Sequence, residues 1–360
     1  MRLTGPRDGP ASRTHPDGRR TESPGPQVYG HRGAPGRLPE NTLGSCALAA
    51  SMGVEFIEFD LVCSKDGVLI VRHEPNLTHC TEVAQRPEFA DRRRSIEVGG
   101  HREEGWFTFD FTLEELRSLR ATEPLTSLRP HTMDGAMEWT IPTLDEILAL
   151  RAQASADRGW ELGIIPEIKH SSLFHALGHD PEAALMASLA GAGLQDAGAL
   201  VRIESFEVGN LSRLRHDLGF EGVLVFLAED SGRPLDFILS QDERTFADLL
   251  TPRFLEELAH VVDAIGPSKH LVIGRTAEDT LADPSALVAD CHAVGLEVTP
   301  WTFRAENHFL PAEHRSSADP AELGDYAGEL HAFFEAGVDA VFCDQPDLAL
   351  LARDAYLVGR

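Results

Sequence analysis

The chain has 360 residues, of which 42% are hydrophobic and 25% charged, a composition suited to one large barrel or two modest domains. Its formal charge of -26 at pH 7 opposes attraction to nucleic acid or an anionic membrane, so any bound phosphate has to be held locally, by a few cations or a metal ion. The five cysteines, Cys46, Cys63, Cys80, Cys291 and Cys343, are scattered with no C-x-x-C pair, which argues against a disulfide framework or a zinc site and for a reducing compartment.

Residues 1–26 are rich in Pro, Gly and Arg and are expected to be disordered. They contain no apolar stretch of the kind a secretory signal needs, and Arg19-Arg20 is followed by "TESPGP", so a cytoplasmic protein is expected. No apolar run approaches the length of a membrane span, and stable membrane insertion is not expected.

From "QVYGHRG" onward one pattern recurs: a capped helix, a glycine, then a short β-rich run ending in polar residues. Asn41 or Thr42 opens "LGSCALAAS", Gly53 closes it, and "VEFIEFDL" follows. "VLIVRH" is a further strand. Residues 84–111 are charged and unperiodic, until Thr112 begins a helix with a capping box to Glu115; a second box, Thr143 to Glu146, begins "LDEILALRAQASADR". The stretch from about 84 to 140 therefore reads as an insertion of loop and small helix. "LGIIPEIK", "ALVRIESF", "GVLVFL" and "HVVDAIG" supply more strands. Asp283-Pro284 is expected to open the helix before "LEVTPWTF", and Asp319-Pro320 the one before "VDAVFCD". The alternation predicts an α/β protein, a (β/α)8 TIM barrel occupying residues 27–355, with one or two surplus runs for an edge or hairpin. A doubly wound sheet is the rival, and "GHRGAPG" lacks its G-x-G-x-x-G loop.

The polar strand ends converge in such a barrel. Glu58 and Asp60 are two apart and share a face with Phe56; Glu167 follows an apolar run and has Lys169 two residues on. Buried carboxylates are costly unless neutralised, and a hard divalent cation would neutralise them, although a solvated strand end would account for Glu58 and Asp60 alone. His31 and His73 each terminate a strand beside charge, Arg32 and Glu74, and paired imidazoles can serve as general base and general acid on a phosphodiester.

"HRGAPGRLPENT", the E-x-D of "EFD", "DGVLIVRHEPNL" and "PEIK" occur in that order, followed by "SFE", "VTPWTF" and "GVDAVFCDQP". Over roughly residues 27–352 the chain resembles the glycerophosphodiester phosphodiesterase family, and its insertion and "DFTLEEL" resemble the longer, periplasmic-type members, many of which use calcium and are exported. The resemblance implies a barrel enzyme that hydrolyses glycerophosphodiesters such as glycerophosphocholine or glycerophosphoethanolamine to glycerol 3-phosphate and an alcohol. It implies His31 and His73 as catalytic, Arg32 and Lys169 as phosphate-binding, and Glu58, Asp60 and Glu167 as ligands of a divalent cation, calcium favoured over magnesium. Glu40 would lie near the metal and Trp301 would wall the glycerol pocket. Glu74 stands where the family usually has aspartate. Which histidine is acid, and whether water or the substrate's 2-hydroxyl attacks, stay open, as does the oligomeric state. Alternatives are lysophospholipid or polymeric glycerophosphate substrates, and a non-catalytic barrel that binds phosphoryl ligands. The expected partner is a small glycerophosphodiester, with no nucleic acid.

Overall fold

Eight parallel strands form the frame: β1 (Gln27–Gly30), β2 (Phe56–Cys63), β3 (Gly163–Ile168), β4 (Arg202–Ser205), β5 (Val223–Ala228), β6 (Ala264–Pro267), β7 (Glu297–Val298) and β8 (Ala340–Cys343). The computed structural model describes residues 25–133 and 139–359, so the leader expected to be disordered lies outside the described residues but for its last two. In space the strands run β7-β6-β5-β4-β3-β2-β1-β8. The two ends of that path meet through backbone bonds: Asp339 N–H to Val298 O at 2.9 Å, Phe342 N–H to Pro300 O at 3.2 Å and Phe303 N–H to Phe342 O at 2.9 Å. The result is the nearly closed (β/α)8 barrel that the alternation predicts.

Strand β2 shows how one strand serves two layers. Ile57, Phe59 and Leu61 face the helices, in the large core that also holds Val28, Ile164, Ile203, Phe226 and Val341. Phe56 faces inward with Tyr29, Ile165, Ala340 and Phe342, filling the lower barrel. Tyr29 meets Phe56 and Phe342 edge-on, with centroids 5.2 and 5.1 Å away, and the Arg202 guanidinium lies 5.2 Å from the Phe56 centroid. Above this plug the inward positions become acidic, and the cavity of the molecule opens.

The helices between strands have local causes. Thr42 accepts a bond from Ser45 N–H to start Leu43–Met52, and Gly53, at φ +100°, ends it. Both expected capping boxes form, at Thr112 and Thr143, the latter opening Leu144–Arg158. Two expected helix starts are corrected. Leu281–Pro284 pairs antiparallel with Ile273–Arg275, and the helix begins only at Leu287. Asp319-Pro320 lies in a turn, and Tyr326–Glu335 is capped by Asp325, whose carboxylate accepts from Gly328 N–H. An Asp-Pro pair suits a turn as well as a helix start, and here the packing selects the turn.

The surplus run Leu69–Val71 folds back antiparallel on β2. Within the insertion, expected to be loop and small helix, residues 94–105 form a hairpin, Arg94–Val98 with His101–Gly105, turned by Gly99-Gly100 at φ +58° and +83°. Its tip lies near the helix Leu235–Leu239: a Cβ at Gly99 would stand 3.2 Å from Leu235 Cδ1. The hairpin thus reaches across the barrel mouth. Among the described residues no helix is long and apolar enough to cross a membrane, and all five cysteines are buried and free.

Gly163 opens β3 opposite Phe56, and a Cβ there would overlap the Phe56 ring. Gly163→Ala is expected to lower stability by about 1–3 kcal/mol through overpacking. Urea unfolding followed by tryptophan fluorescence measures it.

Candidate active site

A cavity of about 1010 Å³ opens at the C-terminal ends of the strands, lined by His31, Arg32, Glu58, His73, Glu74, Glu167, Lys169 and Trp301. Of the residues expected to act, these eight meet there. The loop after β1 delivers the first pair. Arg32 sits at φ +51°, which turns its backbone N–H onto Glu58 Oε2 at 2.7 Å. Its guanidinium reaches Glu40 at 2.8 Å and Asp60 at 3.2 Å. Glu40 therefore holds Arg32, and its own ionisation is favoured: burial works against it, but Arg32, His73 and Arg72 more than compensate.

Both histidines are backed by a carboxylate on the same ring nitrogen. His31 Nδ1 lies 2.6 Å from Asp344 Oδ1, a carboxylate that also accepts from Arg129 at 2.6 Å and Arg304 at 2.8 Å. Burial pushes the His31 pKa down to about 4, Arg32 adds to this, and Asp344 opposes it. The ring is thus neutral at pH 7, with Nδ1–H donated to Asp344 and the lone pair on Nε2. His73 Nδ1 lies 3.0 Å from Glu74 Oε1, and Glu74 Oε2 lies 3.4 Å from His170 Nε2. The His73 pKa is also lowered, by burial first and then by Arg32 and Lys169. The longer side chain of Glu74 still reaches the ring beside it.

The acidic residues divide into two sets. Glu58 on β2, Glu167 on β3 and Glu204 on β4 each bring an oxygen within 4.8 Å of the others. Glu58 is 1% exposed, Glu167 4% and Glu204 3%, and Glu167 Oε1 and Glu204 Oε2 are buried without a hydrogen-bond partner. Burial and mutual repulsion push all three pKa values up, that of Glu167 to about 8. Oxygen donors crowded this way fit a hard divalent cation. Asp60, also expected as a metal ligand, stands beside Glu167 on the neighbouring strand and within hydrogen-bonding reach of it. Its Oδ1 pairs with Lys169 at 3.3 Å, and its Oδ2 meets Arg32 at 3.2 Å and accepts from Asn41 at 2.7 Å. Burial acts against its ionisation, yet Lys169 and Arg32 hold its pKa well below the usual range. Lys169 also bridges to Glu167 at 2.9 Å.

Trp301 forms part of an apolar wall. Its indole N–H donates to Gly266 O at 2.7 Å, and its ring meets Phe206 edge-on at 5.7 Å. Phe206 in turn lies 5.5 Å from the Lys169 ammonium.

Among the residues at this site that escaped the sequence reading are Glu204, Asp344 and Arg129. Glu204 is the one acid within the strand β4, and Asp344 directly follows β8, so each fits the pattern of a polar group at a strand end. Arg129 comes from the insertion, 215 positions before its partner Asp344, and carries no local signal.

The model of the glycerophosphoryl diester phosphodiesterase family matches residues 31–348. A glycerophosphodiester phosphodiesterase of Arabidopsis thaliana is 32% identical over 93% of this chain and 88% of its own length. One of Haemophilus influenzae is 25% identical over 89% and 87%. The structure of an Oleispira antarctica phosphodiesterase in complex with the product sn-glycerol-3-phosphate superposes with a TM-score of 0.58 at 21% identity, covering 92% of this chain and 97% of that one. The chain belongs to the glycerophosphoryl diester phosphodiesterase family, and it is an enzyme of that class.

The environment of His31 is open to a direct check. Its imidazole should stay neutral until the pH falls to about 4, and Asp344→Asn, which removes the opposing charge, should push the midpoint lower still. A histidine NMR titration of both proteins measures this; a His31 midpoint near 6.5 would contradict the burial described.

Proposed function

We propose that the protein hydrolyses small glycerophosphodiesters, glycerophosphocholine and glycerophosphoethanolamine among them, to glycerol 3-phosphate and the free alcohol. The observation that carries this reading is the meeting, in one cavity, of two cations, Arg32 and Lys169, with buried carboxylates and two imidazoles. The product held by the Oleispira relative agrees with it.

A divalent cation held by Glu58, Asp60 and Glu167, calcium in preference to magnesium because flexible carboxylate arms suit its looser coordination, would polarise the phosphoryl oxygen. Arg32 and Lys169 bind the phosphate oxygens and supply the local positive charge that the molecule as a whole lacks. His31, kept neutral by burial and by Arg32, takes the proton of the attacking hydroxyl on Nε2. The oxygen adds to phosphorus, the bond to the alcohol breaks, and His73, entering as the imidazolium with Nδ1–H on Glu74, gives its Nε2 proton to the departing oxygen; where the attacking hydroxyl is the substrate's own, water then opens the cyclic phosphate with the two imidazoles in exchanged roles. Asp344 and Glu74 hold the two rings by Nδ1. Trp301 bounds the glycerol side.

A second reading, a lysophospholipid substrate, is favoured by one feature: Phe206, Leu227, Leu235, Ile238, Phe246 and Trp301 all line the same cavity. Comparing kcat/KM for glycerophosphocholine and lysophosphatidylcholine decides between them.

The main test is release of glycerol 3-phosphate from glycerophosphocholine by metal-stripped protein, with calcium or magnesium added back. Calcium is expected to restore the greater activity. His31→Ala and His73→Ala should each lose about 10²–10⁴-fold. A p-nitrophenyl leaving group, which departs without a proton, should rescue His73→Ala and not His31→Ala. An analogue without the 2-hydroxyl identifies the nucleophile: normal turnover means water attacks, and loss means the substrate's own hydroxyl does. Folded wild-type protein inactive with either metal on every diester would overturn the reading.

A further inference from the structure

The lysines and arginines that line the cavity differ in what already occupies them. Arg32 and Lys169 serve the carboxylates around β2 and β3. Lys269 and Arg275 share Glu329, at 2.7 and 3.4 Å, and Arg315 pairs with Asp279. Arg233, on the loop after β5, donates to Asp242 O and lies 3.7 Å from Glu243. Arg304, which follows β7, is used far less. Its Nε donates to Asp344 Oδ2 at 2.8 Å, and among the described residues its Nη1 and Nη2 make no hydrogen bond.

The position of Arg304 is fixed all the same. Asp344 holds His31 through its other oxygen, Oδ1, so the guanidinium stands next to that imidazole. It also lies over the Phe309 ring, 4.7 Å from the centroid. Arg129 reaches the same Asp344 oxygen but is sealed in, its side chain 4% exposed and its Nε on Glu306, whereas the Arg304 side chain is 25% exposed and lines the cavity. Arg129 anchors the carboxylate; Arg304 uses one nitrogen on it and keeps two for something else. A guanidinium held at Nε and against an aromatic face has lost much of its rotamer freedom before a ligand arrives, and its two free amino groups match two oxygens of a phosphate.

We infer that Arg304 is a substrate-binding residue, its Nη1 and Nη2 donating to phosphate oxygens of the diester beside His31, as a third cation of the phosphate site after Arg32 and Lys169. The inference rests on the reading that this cavity takes a glycerophosphodiester. It gives the segment after β7 a direct part in holding the substrate, and it makes Asp344 the link between that grip and the imidazole.

The test is calorimetric titration with sn-glycerol 3-phosphate in calcium buffer, beside KM and kcat for glycerophosphocholine, for wild type, Arg304→Gln and Arg304→Lys. Loss of a charge-assisted contact should weaken glycerol 3-phosphate binding and raise KM by about 10–100-fold in Arg304→Gln. Arg304→Lys, which keeps the charge and loses the fork, should lose less. A residue that acted only through Asp344 would instead lower kcat and move the His31 midpoint in an NMR titration. Affinity for glycerol 3-phosphate within about threefold of wild type in Arg304→Gln would overturn the inference. Asp344 keeps Arg129 and His31 as partners, so the variants are expected to fold; if Arg304→Gln does not, Arg304→Met decides by the same limit. Where wild type turns over the diester but holds the product too weakly to titrate, KM carries the comparison. Wild-type turnover with unchanged affinity in Arg304→Gln leaves the phosphodiesterase reading standing, whereas wild type that neither binds glycerol 3-phosphate nor releases it from any diester removes both.

Discussion

Like charges buried at one end of the barrel are the constraint around which the rest is arranged. Glu58, Asp60, Glu167 and Glu204 occupy inward positions of three adjacent strands, where desolvation favours the neutral acid and each carboxylate disfavours its neighbours. Much of the surrounding architecture offsets that cost. The loop after β1 takes left-handed turns at Arg32, Gly33 and Asn41. The first puts a backbone N–H on Glu58, and the third lets Asn41 bond Asp60 through both its amide nitrogen and its oxygen. Gly33 has no substitute there: a Cβ would run into the backbone of Ser45, where the first helix begins.

A second buried network ties the insertion to the closing strand. Arg129 pairs with Glu306 and Asp344 at 2.6 Å each, and Gln345 donates to Glu306 at 2.9 Å. Asp344 in turn fixes His31. Removing one partner from a buried network of this kind costs more than the network contributes to stability, so its use is in orientation. Segments distant in sequence thereby set the tautomer and direction of one imidazole. Burial holds Asp344 against ionisation, and Arg304, Arg129 and His31 reverse the effect, keeping it anionic.

The barrel was legible in the sequence because parallel strands covered on both faces write themselves as short apolar runs between capped helices. The polar strand ends followed from the same pattern, which is why His31, Glu58, His73, Glu167 and Lys169 could be singled out before any coordinates. What escaped has physical causes too. The hairpin Arg94–Val98/His101–Gly105 has few buried residues, so no period of two marks it. The Asp-Pro pairs at 283–284 and 319–320 fit either a turn or a helix start. Glu204 sits within "RIES", where its neighbours explain the strand and nothing local explains the acid. Asp60 and Glu204 look equivalent as letters. Their surroundings differ only in the fold: Lys169, Arg32 and Asn41 meet Asp60, while Glu204 faces Glu58 and Glu167.

The electrostatics also order the events at the site. A molecule with a formal charge of -26 repels a phosphodiester, so the positive charge that receives it has to be local. Arg32 and Lys169 are too fully engaged by Glu40, Asp60 and Glu167 to reverse the local field alone. A divalent ion held by these carboxylates would bring positive charge to the point where the phosphate has to sit. Ion and substrate affinities would then be linked, and the linkage would be reciprocal, each strengthening the other by the same factor. The buried acids that make the barrel mouth costly to fold would thereby tie its affinity for phosphate to the ion they hold.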